Sequence, residues 1–377
     1  MRFHTTQNGT LASQGSDPAH GPRSRGREDE RGTMAVLMGL VIVLVFGFGA
    51  LAVDIGSGLV TKAELQNTSD AATLATAYEL GVIYRELGRS TSYKTYTLTS
   101  ADEARLLAKA AEFAGANSAG GKSVSVRAAD LVYGTYDGAT GEITPSKTGV
   151  RAVSLVSRRD DQANGALPAI LAGVLGVNSI PVRAQSAAAL TALGTLDAGK
   201  SDIPVGISQY WFDSGSCDAG DNSIKFFPTG SLDGCAGWHT YTEWPASASR
   251  LNKILDDLED GTFSSPETTA GEDSYNFTGG TLASRFSDMK SLYDAKKNDA
   301  GNWTVTVPVY QASDCSNPTG AIVIAGFARA TIYEVTDAPE KTISAHVECG
   351  IFDSSDLGDG GGANDYGTLI ASPLMIQ

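Results

Sequence analysis

Four cysteines, Cys217, Cys235, Cys315 and Cys349, are the residues of this chain best suited to covalent chemistry. All four lie in the second half, and no C-x-x-C pair occurs, so a structural zinc site or dithiol redox centre has no sequence support. An even number of spaced cysteines in an exported chain points to two disulfides. Three pairings are open. The expectation is Cys217–Cys235 with Cys315–Cys349, because each pair brackets a local segment.

Other strings carry residue types that could do chemistry. Gly194-Thr195-Leu196-Asp197-Ala198-Gly199-Lys200-Ser201 matches the phosphate-loop pattern. That mechanism needs a helix after the Ser to aim its N-terminal amides at phosphate. Here Asp202-Ile203-Pro204 leads into a strand-like run, so an interdomain linker is expected. Asp213, Asp218 and Asp221 form one acidic loop, and Asp353, Asp356, Asp359 and Asp365 another. Neither has EF-hand or nonapeptide spacing, so solvated turns are favoured over calcium. Trp238, Tyr241 and Trp244 surround His239 and Glu243. Core packing beside Cys235 is favoured over a sugar site, since aromatics usually bury their large area. No nucleophile–base constellation, H-E-x-x-H or G-x-S-x-G occurs, so neither a catalytic residue nor a metal or other cofactor is expected. A net charge of −15 with only 28 Lys and Arg argues against nucleic acid.

The elements that must carry these residues begin with an uncharged, proline-free apolar run, Met34 to Val53. About 20 such residues cross a bilayer as one helix. Arg23, Arg25, Arg27 and Arg31 precede the run, and only Lys62 follows before Arg85, which places the N-terminus in the cytoplasm. Ala50-Leu51-Ala52 also fits a signal-peptidase site, but the run exceeds a signal h-region of about 7–15 residues, so a retained single-pass anchor is preferred. Residues 1–31 are polar and read as a disordered cytoplasmic tail.

Residues 32–87 read as the span and a stalk helix continuing it, with Leu59, Ala63, Leu65, Ser69, Ala72 and Leu74 or Ala75 on a loose stripe. Residues 88–195 read as an exported α+β unit. It starts with a capping box at Ser100–Glu103 and a helix over 104–114. Strands follow at 122–128 and 150–157, with a hairpin over 130–148, a short apolar helix over 167–175 and a strand from Ile180. Residues 196–377 read as a β-rich domain holding the four cysteines, with an amphipathic helix over 247–259 and strands over 203–208, 302–310, 321–335 and 342–349. The fold class is therefore α+β: a long transmembrane and stalk helix, a pilin-like α+β unit, then a mostly antiparallel β domain with disulfides.

Arg31-Gly32, the apolar run, Ala52-Val53-Asp54-Ile55-Gly56, Lys62 to Asn67 and Asp70-Ala71-Ala72 together resemble the N-terminal module of TadE/TadG-like proteins of Flp (tight-adherence) pilus assembly. Leu175 to Ile180, Ala184 to Ala188 and Pro204 to Ser208 resemble later parts of such proteins. The resemblance implies a non-enzymatic structural component of the bacterial cytoplasmic membrane. Its N-terminal helix would pack in the lipid bilayer against other pilus-assembly or pilin-like proteins, and its exported domains would interact outside. Prepilins of this class are cut after a glycine and carry a glutamate five residues on. Gly32 is followed at that place by Leu37, which implies a helix that stays in the membrane. Asp213 to Cys217 departs from the D-x-S-x-S metal site of the von Willebrand A-type domains in some TadG-like proteins, so none is inferred. The alternative is an anchored adhesin whose β domain holds a surface ligand of unknown kind.

Overall fold

The computed structural model describes residues 26–376 apart from 89–90, 171, 218–221, 229, 279–285, 338 and 354–356. Helix α1 (Gly26–Leu87) runs unbroken for 62 residues, about 90 Å at 1.5 Å per residue. It includes residues 26–31 of the segment expected to be disordered; residues 1–25 of that segment lie outside the described residues.

The two halves of α1 behave differently. From Met34 to Val60 every large apolar side chain is exposed. Beyond Thr61 one face is buried, at Leu65, Ser69, Ala72, Thr73, Thr76, Ala77 and Leu80. These positions recur at three- and four-residue spacing, and their small side chains let the helix lie close to a sheet. The hydroxyls on this face need partners. Thr76 donates to the Ala72 carbonyl at 2.6 Å and Ser69 to the Leu155 carbonyl of the sheet at 3.0 Å. Leu59 and Ala63, placed on this stripe by the sequence, face outward instead.

Helix α2 (Ser100–Gly115) packs beside α1. Its capping box is one residue earlier than expected. The Thr99 hydroxyl accepts from Asp102 N at 3.2 Å, and the Asp102 carboxylate accepts from Thr99 N at 2.8 Å. Both Thr99-x-x-Asp102 and Ser100-x-x-Glu103 fit the pattern. The backbone at Thr99 is the extended one that a cap requires.

The sheet under α1 and α2 has the order Ile351–Asp353, Thr368–Met375, Val182–Leu196, Ala152–Arg159, Leu131–Tyr136, Ile143–Pro145. The 131–136 and 143–145 strands form the expected hairpin. The expected strand over 122–128 is reduced to Lys122–Ser123. The apolar stretch expected as a helix over 167–175 is a strand pair and a short turn. Leu167 and Pro168 pair with Ile180 and Ser179, and Ala172–Leu175 makes one 3-10 turn. Pro168, Gly173 and Gly176 leave no room for a longer helix.

The second sheet runs Ser223–Phe227, Thr342–Val347, Gly320–Thr336, Ser274–Thr278, Ala236–His239, Val205–Ser208, Trp303–Tyr310. Its last strand pairs back onto Gly320–Thr336, so five of the strands close a ring. All pairings are antiparallel except Val205–Ser208 with Trp303–Tyr310. Helices α3 (Gln209–Asp213), α4 (Ala248–Glu259) and α5 (Phe286–Lys296) belong to this half. Leu251, Ile254 and Leu255 of α4 are buried as the periodicity predicts. No reading of the sequence anticipated α5.

Residues 351–375, assigned to the β-rich domain, return to the first sheet, where Thr368–Met375 pairs antiparallel with Val182–Leu196. One hydrophobic cluster joins Leu193, Leu196 and Ile370 of the first sheet to Tyr241, Tyr275, Phe277 and Tyr310 of the second. The 194–201 segment is not a loose linker: Ser201 is buried, its amide donates to Ser265 Oγ at 3.0 Å, and its carbonyl accepts from Tyr241 Oη at 3.2 Å.

The disulfides also differ from the local pairing. Cys217 bonds Cys349, and Cys235 bonds Cys315. Strand register is the reason. Ser223 pairs with His346, which brings the residues just before one strand and just after the other to the same end. Val205–Ser208 lies between Ala236–His239 and Trp303–Tyr310. Ser208 N bonds the Cys235 carbonyl and Ser208 Oγ the Asp314 carbonyl, so Cys315 arrives beside Cys235.

Candidate functional site: the emergent helix and its docked loop

Asp54 ends the apolar run, and it is only 2% exposed. Its carboxylate accepts from Ile170 N at 2.9 Å and Ala172 N at 2.6 Å. An acid at the edge of an apolar span is costly unless its lone pairs are met. The 167–180 loop meets them with the Ile170 amide and the first amide of its 3-10 turn, Ala172. Further along α1, Glu64 accepts from Gly120 N at 2.7 Å, and Gln66 donates to Asp70 at 2.8 Å and Ser186 at 3.0 Å. Near the end, the Tyr84 hydroxyl donates to the Val150 carbonyl at 2.5 Å. These polar contacts fix the rotation and depth of the helix, which apolar packing of small side chains alone leaves free. The sequence displayed Asp54 within its motif but assigned it no role. The signal was an acid directly after a span, together with a run from Gln162 to Val182 that carries no charge.

The other singled-out residues fall elsewhere. The four cysteines staple the second sheet and its exit toward the first. Gly194–Leu196 of the phosphate-loop match ends a strand, and Ser201 is followed by the strand Val205–Ser208, with no helix to aim amides at phosphate. Asp353 pairs with Arg329, Asp365 accepts from the Tyr93 hydroxyl, and Asp359 is exposed. Asp218, Asp221 and Asp356 lie outside the described residues. Among the described residues no group of three or more His, Cys, Asp or Glu is placed to hold a metal ion.

Trp238, His239 and Tyr241 are core residues, whereas Trp244 is exposed. The His239 ring packs against Tyr241, Tyr275 and Phe277 at centroid distances of 4.6, 4.8 and 5.4 Å. Its Nδ1 accepts from Tyr241 N at 3.2 Å. Burial holds this imidazole neutral, down to about 3, while the Val205 carbonyl opposes that shift. Burial also pushes the Tyr275 hydroxyl up to about 12. Glu243 makes a surface pair with Arg250 at 2.8 Å, so it is not aimed at His239.

The class defined so far is an α+β protein with one N-terminal helix long and apolar enough to span a membrane, a mixed but mostly antiparallel pair of sheets, and two disulfides. Residues 32–79 match the family model described as putative Flp pilus-assembly TadE/G-like. The matched stretch is α1 itself: the exposed apolar half, Asp54, and the buried face through Ala77. It supports a role in Flp pilus assembly. Neither the curated proteins nor the solved structures gave a match.

Proposed function

We propose that this chain is a membrane-anchored, non-enzymatic structural component of a Flp/Tad-type pilus assembly system. In this reading α1 crosses the cytoplasmic membrane once, with its N-terminus inside. The helix is retained rather than cut, consistent with Leu37 where prepilins of this class carry glutamate. The part beyond Thr61 stands outside as an interaction domain, an assignment supported by the basic residues before the span and by the two disulfides.

One observation carries the proposal. The stretch that matches the pilus-assembly family is a single continuous helix. It exposes apolar side chains along one half and is locked to a folded domain along the other. Such a helix has two tasks available, anchoring and packing against other membrane helices, and the exposed glycines Gly39, Gly47 and Gly49 permit close approach. Deleting the gene should abolish or sharply reduce pili counted by electron microscopy, with growth unchanged, and the full-length gene should restore them. Normal piliation in the deletion strain refutes the proposal.

A further inference from the structure

We infer that Ile170 and Val177, on the loop held by Asp54, make a second membrane contact, seated in the phospholipid interface beside the point where α1 leaves the bilayer. The inference rests on the anchor reading above.

The loop's composition suits that place. From Gln162 to Val182 there is no charged side chain. Leu167 at the neck is buried, yet at the tip Ile170 is 66% and Val177 49% exposed. Ile170 and Val177 therefore point away from the protein.

The loop's depth is set by Asp54. Its carboxylate holds the Ile170 and Ala172 amides, so the tip lies level with the last residue of the apolar run. Past Asp54 the exposed face of α1 stays uncharged as far as Lys62 and still shows Ile55, Leu59 and Val60. Met34 to Val60 spans about 40 Å of helix. That is closer to the full bilayer with its interfacial layers, about 40–45 Å, than to the hydrocarbon core alone, about 30 Å. Asp54 and the loop then fall within the interfacial layer.

Backbone accounting agrees. Backbone groups that come close to the hydrocarbon, where water is scarce, are best satisfied within the protein. Ala169 N bonds the Asn178 carbonyl at 3.1 Å, Gly176 N the Gly173 carbonyl at 3.1 Å, and Val177 N the Ala172 carbonyl at 3.0 Å. With Asp54 taking two more amides, the loop can sit among headgroups while Ile170 and Val177 reach about 5–10 Å toward the acyl chains. A second contact beside the helix would fix the tilt of the external domain, which a single helix leaves free.

Photo-crosslinking tests this in the full chain reconstituted in phosphatidylethanolamine–phosphatidylglycerol vesicles. p-Benzoylphenylalanine is placed singly at Phe46, Val177 and Tyr78, all exposed positions. Phe46 lies in the span, and Tyr78 lies about 36 Å along α1 from Asp54. Phospholipid adducts are read by mass spectrometry. The expected result is lipid adducts at 46 and 177, both several-fold above 78. Adducts at 46 with 177 as low as 78 overturn the inference and leave the anchor standing. No adduct at 46 overturns the anchor reading itself. Equal labelling at all three, or adducts at 177 to a second copy of the chain in place of lipid, also overturns the inference.

Discussion

Replacing both ends of the outer bridge, Cys217→Ser with Cys349→Ser, removes the staple that closes the second sheet near the chain's return to the first. The two bridges are nested, because Cys235–Cys315 lies inside the 132-residue interval from Cys217 to Cys349. With the inner bridge intact, the shortest path around the outer one runs from Cys217 to Cys235, across the bridge, and from Cys315 to Cys349. That path is about 52 residues, and its closure entropy corresponds to about 4 kcal/mol at 25 °C. Urea unfolding of the detergent-solubilised protein, followed by near-ultraviolet circular dichroism, should show a loss of that order. Thiol titration in denaturant gives the sharper test. With nested bridges the double variant has no free thiol, since Cys235 and Cys315 still bond each other. With the local pairing expected from sequence, it would expose two. Two titratable thiols, or a stability loss under about 1 kcal/mol, would refute the reasoning.

Three further outcomes are expected. His239 has a folded pKa near 3 against about 6.5 unfolded. The unfolded chain therefore takes up the proton first: stability is complete above about pH 7 and falls as pH drops from 6.5 toward 3. At pH 5 the loss is about 2 kcal/mol. His239→Phe should lack this part of the pH dependence, and identical pH slopes in the two proteins would contradict it. At Gly81 an added Cβ would lie 2.6 Å from Phe352 Cζ, so Gly81→Ala should cost about 1–3 kcal/mol by overpacking. Phe352→Leu should recover part of that in the double variant, and strict additivity of the two changes would argue against the contact. Asp54→Ala strands the Ile170 and Ala172 amides, and hydrogen exchange there should quicken about a hundredfold for a loss near 3 kcal/mol, while Leu65 and Ala72 stay protected; unchanged exchange at 170 and 172 would remove Asp54 as the loop's anchor.

Features that depend only on neighbours along the chain were legible before folding. An uncharged run of about 20 residues becomes a span-length helix wherever it sits, and the small, regularly spaced residues from Leu65 to Ala77 extend it without interruption. The hairpin at 131–145 and helix α4 were legible for the same reason, since a four-residue turn and a repeat of Leu251, Ile254 and Leu255 carry their own instructions. The family resemblance was readable because the matched stretch is one helix, whose motif is contiguous.

Pairings between distant segments belonged to the tertiary structure. Thr368–Met375 chooses Val182–Leu196 as its partner across most of the chain, and nothing local to residue 370 records that choice. The disulfides follow strand register and not separation along the chain, so the nearest cysteines were the wrong partners. Asp54 shows the same division at one residue. Its position after the span was plain in sequence, but its role waited on the fold bringing the amides of residues 170 and 172 within hydrogen-bond distance. The 167–180 loop, kept from forming a longer helix by Pro168, Gly173 and Gly176, is tied to the middle of α1 because the buried Asp54 carboxylate needs donors and the Ile170 and Ala172 amides are where the fold supplies them.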